Sequence, residues 1–160
     1  MCTPNDICVN TRGSYQCLKV ECPIGYTYVN DPRSSRCDRV HDTCRYGDLE
    51  CLRRPSKIFY IPYTFSYLQP VPVKIFSTKV STYSRRIKFR HEFRLVKTDG
   101  NHLRDDQFEV RQIDANTFEI YLLEQCLVAQ NIQLELKIEF YSDNQFQSCL
   151  LNKVFVFVTE

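Results

Sequence analysis

Nine cysteines dominate the chemistry of this chain, since thiols can form disulfides, bind metal ions or act as nucleophiles. Seven of them lie between Cys2 and Cys51, and the other two are Cys126 and Cys149. Such dense clustering is typical of small modules that disulfides hold together in oxidising compartments. We therefore expect an extracellular protein whose N-terminal third depends on disulfides.

Zinc binding and catalysis explain the same residues less well. The set Cys37, His41, Cys44 and Cys51 lacks the paired short spacings of zinc sites. The chain contains no nucleophile elbow, phosphate-binding loop or HExxH motif, and a cysteine nucleophile would need a free, activated thiol. We predict that the chain is not an enzyme.

Composition divides the chain into three parts, residues 1–40, 41–56 and 57–160. The first part is punctuated by glycine and proline without apolar periodicity, which indicates loops and short hairpins. The second part is a short connector that carries Cys44 and Cys51. No run of eighteen or more apolar residues occurs, so no membrane-spanning segment is predicted. The formal net charge of +2 favours no class of charged partner.

The third part alternates β-branched and aromatic residues with polar ones. Residues 86–95 and 132–141 have a clear period of two, and Val154–Val158 is apolar on both faces, as in a central strand. Weaker strand candidates are 57–67, 72–80, 107–113 and 117–124. About seven strands at this spacing favour an antiparallel β-sandwich. No helix is predicted, and Pro62, Pro70 and Pro72 indicate edge or irregular strands.

One predicted strand carries a ladder of positive charge. Its outward side chains include Arg86, Lys88, Arg90 and Arg94. The ladder predicts binding to a sulfated polysaccharide or an acidic protein surface. The alternative is a solvated face that Glu135 and Glu139 of neighbouring strands partly neutralise. His91 falls on the opposite, apolar face, where we expect a satisfied core histidine. Nucleic acid is not an expected partner outside the cell.

The most specific motif is Cys8-Val-Asn10-Thr-Arg-Gly13-Ser-Tyr15-Gln-Cys17. It resembles the middle of a calcium-binding EGF-like module, which has cysteine, any residue, Asp or Asn, four residues, an aromatic, any residue and cysteine. In that reading Asn10 offers a side-chain oxygen to calcium, a hard cation that prefers oxygen ligands. Gly13 permits the tight hairpin turn. The alternative is a disulfide-closed hairpin without a metal ion.

The resemblance also implies a disulfide pattern. An EGF-like module pairs its six cysteines first to third, second to fourth and fifth to sixth. Aligned on the motif, the first cysteine and the acidic segment before it, which supplies most calcium ligands, are missing. The implied disulfides are Cys2–Cys17 and Cys22–Cys37, and Cys8 is left unpaired. We therefore expect a C-terminal piece of a longer protein, with calcium as that protein's cofactor and Asn10 an incomplete part of the site. An intermolecular bond or redox role for Cys8 is the alternative.

A further match extends the resemblance to the whole chain. Four residues separate Cys17 from Cys22, as in the last EGF-like module of the fibulins and hemicentins. That family continues with a close cysteine pair like Cys44 and Cys51, then a β-rich module with a turn like Gly100-Asn101 and a last strand like 152–159. The resemblance to fibulins implies a Cys44–Cys51 disulfide. Cys126 and Cys149 are outside the family pattern, and we predict a disulfide between them across neighbouring strands.

The resemblance implies a secreted glycoprotein of the extracellular matrix. Its C-terminal module would bind elastin precursors, fibronectin or basement-membrane components, and so support fibre assembly and cell–matrix adhesion. We expect the contact surface at edge strands and at an aromatic patch, formed by Tyr60, Tyr63, Phe65 and Tyr67. The alternatives are a hemicentin-like adhesion protein and a soluble EGF-like signalling ligand. No Asn-x-Ser/Thr sequon occurs, so N-glycosylation of this segment is not expected.

Overall fold

The computed structural model describes residues 1–31, 34–40, 44–81, 85–100 and 103–160, so His41 and Asn101 lie outside the described residues. The chain is mainly β, as predicted. The described residues form the strands β1 Asp6–Thr11, β2 Ser14–Lys19, β3 Tyr26–Asp31, β4 Ser34–Arg39, β5 Lys57–Ser66, β6 Val73–Lys79, β7 Ile87–Thr98, β8 Phe108–Asp114, β9 Thr117–Leu122, β10 Gln130–Ser142 and β11 Gln145–Thr159.

These strands form a sandwich of two larger sheets and a separate hairpin. Strands β1 and β2 form the hairpin, and the three-stranded sheet has the order β6-β9-β8. The six-stranded sheet has the order β3-β4-β5-β11-β10-β7. All pairs in the two larger sheets are antiparallel except β5 with β11, which is parallel. The sandwich is therefore mixed, whereas the sequence predicts a purely antiparallel one.

The core lies between the six-stranded and the three-stranded sheets. Period-two alternation places every second side chain of a strand on the same face, and the buried side chains of β10 and β9 follow it closely. They are Ile132, Leu134, Leu136 and Ile138 from β10, and Phe118, Ile120 and Leu122 from β9. Burial of each such side chain contributes about 1.5–3 kcal/mol, so this layer supplies much of the apolar stabilisation.

Strand β11 is central in the six-stranded sheet and is covered on both faces, as its apolar sequence predicts. Val154, Val156 and Val158 face the sandwich core. Phe155 and Phe157 face the other way and pack against residues of the β1–β2 hairpin. The hairpin is therefore a third layer, on the outer face of the six-stranded sheet.

The six-stranded sheet continues across the predicted domain limits at residues 40 and 56. Strand β4 pairs with β5, and Cys37 lies opposite Ile58 in that register. Between these strands a single-turn helix, α1 Leu49–Leu52, begins after Asp48, whose carboxylate accepts a hydrogen bond from the Cys51 N–H at 3.1 Å. The sequence predicts no helix because one turn is too short to show a 3.6-residue period. A 3₁₀ turn, Asp105–Gln107, precedes β8. No helix in the described ranges is long and apolar enough to cross a bilayer.

Gly100 lies where the chain leaves β7 and passes close to the start of β10. A Cβ atom at this position would lie 2.5 Å from the Cβ of Gln130. Gln130 is itself buried, and its Oε1 accepts a hydrogen bond from the Thr98 hydroxyl at 2.7 Å. Glycine is therefore required here by the close approach of the two segments.

We predict that Gly100→Ala lowers the free energy of unfolding by about 1–3 kcal/mol, because both backbone segments must shift to admit the added methyl group. Urea unfolding followed by far-ultraviolet circular dichroism measures the change. A Gly100→Ala chain whose unfolding free energy is within about 0.5 kcal/mol of the unaltered chain would show that the close approach imposes no constraint.

Candidate interaction surface

The structure contains the three disulfides that the resemblance implies. They join Cys2 to Cys17, Cys22 to Cys37 and Cys44 to Cys51, with Cα atoms 5.5, 5.5 and 5.7 Å apart. These distances lie within the ordinary range for a disulfide. Cys8 is free and exposed, as expected.

The predicted Cys126–Cys149 disulfide is wrong, because both cysteines are free and buried. Cys149 lies near the start of β11, where its carbonyl accepts a hydrogen bond from the Ser56 N–H. Cys126 lies in the loop after β9, and hydrogen bonds fix this loop near the C-terminal end of β11. There the side chain of its neighbour Gln125 donates to the Tyr67 carbonyl, and the Tyr67 N–H donates to Thr159. Most of β11 separates the two thiols, roughly 30 Å at about 3.3 Å per residue.

The two buried thiols have structural surroundings. Cys126 packs within the main core, and the Cys149 thiol donates to the Arg53 carbonyl at a distance of 3.3 Å. Burial raises the pKa of both thiols, since the thiolate is disfavoured away from water. Because the thiolate is the reactive form, neither side chain is suited to nucleophilic chemistry in the folded chain.

We predict that a thiol reagent modifies one cysteine, Cys8, in the folded chain and three after unfolding without a reductant. The reason is that Cys126 and Cys149 are free but inaccessible until the core opens. Labelling with iodoacetamide in buffer and in 6 M guanidinium, followed by mass measurement, counts the thiols. One label under both conditions would show that Cys126 and Cys149 do form a disulfide. As a control, a Cys8→Ser chain should take up no label in buffer and two labels in guanidinium.

Asn10 lies exposed on β1, opposite Tyr15 of β2. Calcium takes six to eight oxygen ligands, several of them carboxylates. Among the described residues, the one cluster of three metal-ligating side chains consists of Cys2, Cys8 and Cys17, two of which form a disulfide. This set does not fit a calcium ion around Asn10. Calcium binding stays a prediction from the resemblance.

The outward face of β7 carries Lys88, Arg90 and Arg94 of the predicted basic ladder, and Arg86 lies just before the strand, but acidic side chains interrupt the ladder. Arg94 lies 3.0 Å from Glu135 of β10, and Glu92 on β7 itself lies 3.3 Å from Lys137 of β10. Burial opposes the charge on Lys137, but the hydrogen bond and charge of Glu92, together with the charge of Glu139, raise the pKa of Lys137. Part of the ladder is therefore neutralised by its neighbours, and polysaccharide binding stays a prediction.

The first half of β7 keeps its positive charge. The Arg90 guanidinium lies over the Tyr141 ring, 4.6 Å from its centroid, and Lys88 forms no ion pair with a described residue. Glu139, the acid nearest along β10, accepts a hydrogen bond from the Tyr141 hydroxyl at 2.6 Å. Cation–π contact leaves the Arg90 charge in place, so Lys88 and Arg90 are cations without carboxylate partners.

His91 was expected in the core, but it is exposed. Its ring meets the edge of Phe118 with centroids 5.7 Å apart. The side chain does point toward the other sheet, as the period of two requires, but β7 is the last strand of its sheet. At this edge the inward face is open to water.

An open groove of about 710 Å³ lies on the outer face of the six-stranded sheet, beside α1. Residues from the connector form one wall, and strands β7, β10 and β11 form the other. The lining is mostly charged and comprises Leu49, Glu50, Arg53, Arg54, Pro55, Glu92, Arg94, Glu135, Lys137 and Leu151. The lining contains three acidic and four basic side chains, so the groove itself favours neither an anionic nor a cationic ligand.

The predicted aromatic patch is not a contact surface, because its side chains point into the protein. Tyr60 and Phe65 are buried. The Tyr60 ring stacks on Phe155 at 5.9 Å, and its hydroxyl donates to the Glu21 carbonyl at 2.8 Å. Tyr63 and Tyr67 are half-buried against the main core. The prediction is wrong because the EGF-like segment covers Tyr60, which a strand pattern alone does not show.

Five of the thirteen exposed large apolar side chains among the described residues lie in or beside the connector. The Val40 N–H donates to the Gly25 carbonyl, which places Ile24 beside Val40. The Arg39 guanidinium donates to the Cys51 carbonyl at 3.0 Å and joins this turn to the disulfide-closed loop. We call the set the connector patch, and its exposed members are Ile24, Val40, Tyr46, Leu49 and Leu52. Ile24 and Tyr46 are fully exposed.

Comparison with known proteins gives one family and several relatives. The family described as Fibulin C-terminal Ig-like domain matches residues 56–160. Human Fibulin-7 is 24% identical over 159 residues, covering 99% of this chain and 36% of that protein. Human Fibulin-2 is 26% identical over 158 residues, covering 99% and 12%. Human Hemicentin-1 is 42% identical over 59 residues, covering 37% and 1%.

The chain thus spans 36% of Fibulin-7 and 12% of Fibulin-2. Among solved structures, cadherin-like domains 1 to 4 of zebrafish RET align with a TM-score of 0.42 and 7% identity, over 91% of this chain and 34% of that one. This likeness is too weak to support an argument about fold or function.

Proposed function

This chain belongs to the fibulin family of extracellular-matrix proteins through its C-terminal Ig-like domain, and we propose that it acts in the matrix by binding other matrix proteins. Its three disulfides fit an extracellular location. Fibre assembly and cell–matrix adhesion are the roles that such binding would serve.

The connector patch is the observation that supports a binding role. Soluble proteins rarely expose several large apolar side chains side by side, and such patches mark contact sites for other proteins. Tyr46, Leu49 and Leu52 belong to a loop that the Cys44–Cys51 disulfide closes. Because the disulfide and the α1 turn hold the loop in shape, binding would cost little conformational entropy.

We propose an elastin precursor as the partner of this patch. The patch offers aliphatic and aromatic side chains, which suit a partner with apolar segments, and an elastin precursor is one of the partners that the resemblance implies. Leu49 also lines the outer groove, whose other lining side chains are mostly charged, so the apolar contact would have a polar rim, as protein interfaces usually do.

We predict that the chain binds immobilised tropoelastin and that the double variant Tyr46→Ser, Leu49→Ser weakens the binding at least about tenfold, since buried aromatic and aliphatic anchors carry most interface energy. Biolayer interferometry with the 160-residue chain measures the affinity.

The matched control is Ile113→Ser, Leu127→Ser, which removes two exposed apolar side chains outside the connector patch, one on β8 and one in the loop after β9. It should bind like the unaltered chain. Equal weakening by both double variants would indicate general stickiness, and no binding by the unaltered chain to tropoelastin or fibronectin would refute the proposed function.

A further inference from the structure

Strand β7 has a long free edge. It contains 12 residues and pairs only with β10 among the described strands. The Leu95 N–H donates to the Asp105 carboxylate at 3.0 Å, so it points away from β10. Backbone groups alternate along a strand, and the N–H groups of Phe89, His91 and Phe93 therefore point the same way. Within the described part of the chain, none of these three has a partner on that side.

The other sheet edges are shorter or interrupted. Strand β3 has six residues, and β6 and β8 have seven residues each, with an irregular register in both. The part of β5 beyond its pairing with β4 contains Pro62, which lacks an N–H donor. From Ile87 to Leu95 the register of β7 with β10 is regular. It is the edge best suited to accept an added strand.

Charge selects what this edge can accept. Lys88 and Arg90 point outward from the free half of the strand without carboxylate partners, and Arg85 just before it is also exposed. At the far end, the chain already places a carboxylate, that of Asp105, on the edge N–H of Leu95. An incoming strand with acidic side chains on its outer face would lie beside the two free cations.

A second copy of the chain fits poorly. Two copies of the Ile87–Phe93 edge paired antiparallel would place Arg90 opposite Arg90 of the other copy, whereas Lys88 would lie opposite Glu92. Like charges directly opposite each other destabilise a sheet. The Arg90 charge disfavours this self-pairing and favours an acidic strand, so an acidic partner fits the edge better than a second copy.

We propose that β7 binds an extended, acidic segment of another protein by strand addition. The segment pairs its backbone with the free edge between Ile87 and Phe93, and its outward carboxylates contact Lys88 and Arg90. This inference rests on the proposed binding function but uses a surface distinct from the connector patch.

The test uses a fluorescein-labelled peptide of twelve residues that alternates threonine and glutamate, with fluorescence anisotropy as the measurement. Two peptide controls separate the contributions. One replaces each glutamate with lysine, and the other carries N-methyl groups on alternate residues, which blocks one row of backbone hydrogen bonds without changing charge. We expect the 160-residue chain to bind the acidic peptide and neither control.

The decisive variant is His91→Pro, with His91→Ala as its matched control. The His91 N–H points to the free edge, so proline removes only an outward donor and is tolerated there. We expect His91→Pro to weaken peptide binding at least about tenfold and His91→Ala to leave it unchanged. The charge variant Lys88→Glu, Arg90→Glu should weaken it similarly. Unchanged circular dichroism of each variant shows that the fold is retained.

Three results would overturn the inference. Equal binding by His91→Pro and His91→Ala would show that the edge backbone is not used. A heparin fragment that binds both variants equally and displaces the peptide would assign the face to polyanions in general. Self-association of the chain that His91→Pro abolishes in sedimentation would make a second copy the occupant.

The experiments distinguish failure of strand addition at β7 from failure of the proposed matrix-binding function. The His91→Pro chain should still bind tropoelastin through the connector patch. If it binds tropoelastin normally while the acidic peptide binds no variant, strand addition is refuted and the matrix-binding proposal stands.

Discussion

Burial of both faces of β11 is the constraint on which the rest of the chain depends. Val154, Val156 and Val158 need a cover on one side, and Phe155 and Phe157 need one on the other. The three-stranded sheet supplies the first cover and the EGF-like hairpin supplies the second. Because each layer buries apolar surface that would otherwise meet water, the cysteine-rich segment stabilises the C-terminal domain as well as itself.

The two ends of the chain hold their structure by different means. The first 51 residues have few buried apolar side chains of their own and contain all three disulfides, which restrict the unfolded chain. The sandwich buries its apolar residues in a continuous core and leaves Cys126 and Cys149 reduced. A cysteine in such a core behaves as a small apolar side chain. Two cysteines in this domain are therefore no indication that a disulfide joins them.

The sequence was most informative where the cause is local. Period-two alternation predicts the strands of the sandwich closely. Between Ile132 and Tyr141, for example, alternate apolar residues in the sequence identify the face of the strand that is buried. The spacing of the cysteines between Cys2 and Cys51 resembles that of the family, and this resemblance predicts the three disulfides. The errors concern contacts distant in the chain. Whether Cys126 can reach Cys149 and whether His91 lies at an edge both depend on strand order, which no local pattern encodes.

Strand order also decides which charged residues are available to a partner. The ladder on β7 looks uniform in sequence, but pairing with β10 places Glu135 beside Arg94 and Lys137 beside Glu92. Lys88 and Arg90 form no ion pair with a described residue, although Glu139 lies opposite Arg90 in the register, and they lie on the same stretch whose backbone donors are free. A diffuse polyanion would use charge anywhere on the face, whereas a strand must use charge and backbone together. The coincidence of both on Ile87 to Phe93 therefore favours an extended acidic polypeptide over a charged polymer without a backbone to pair.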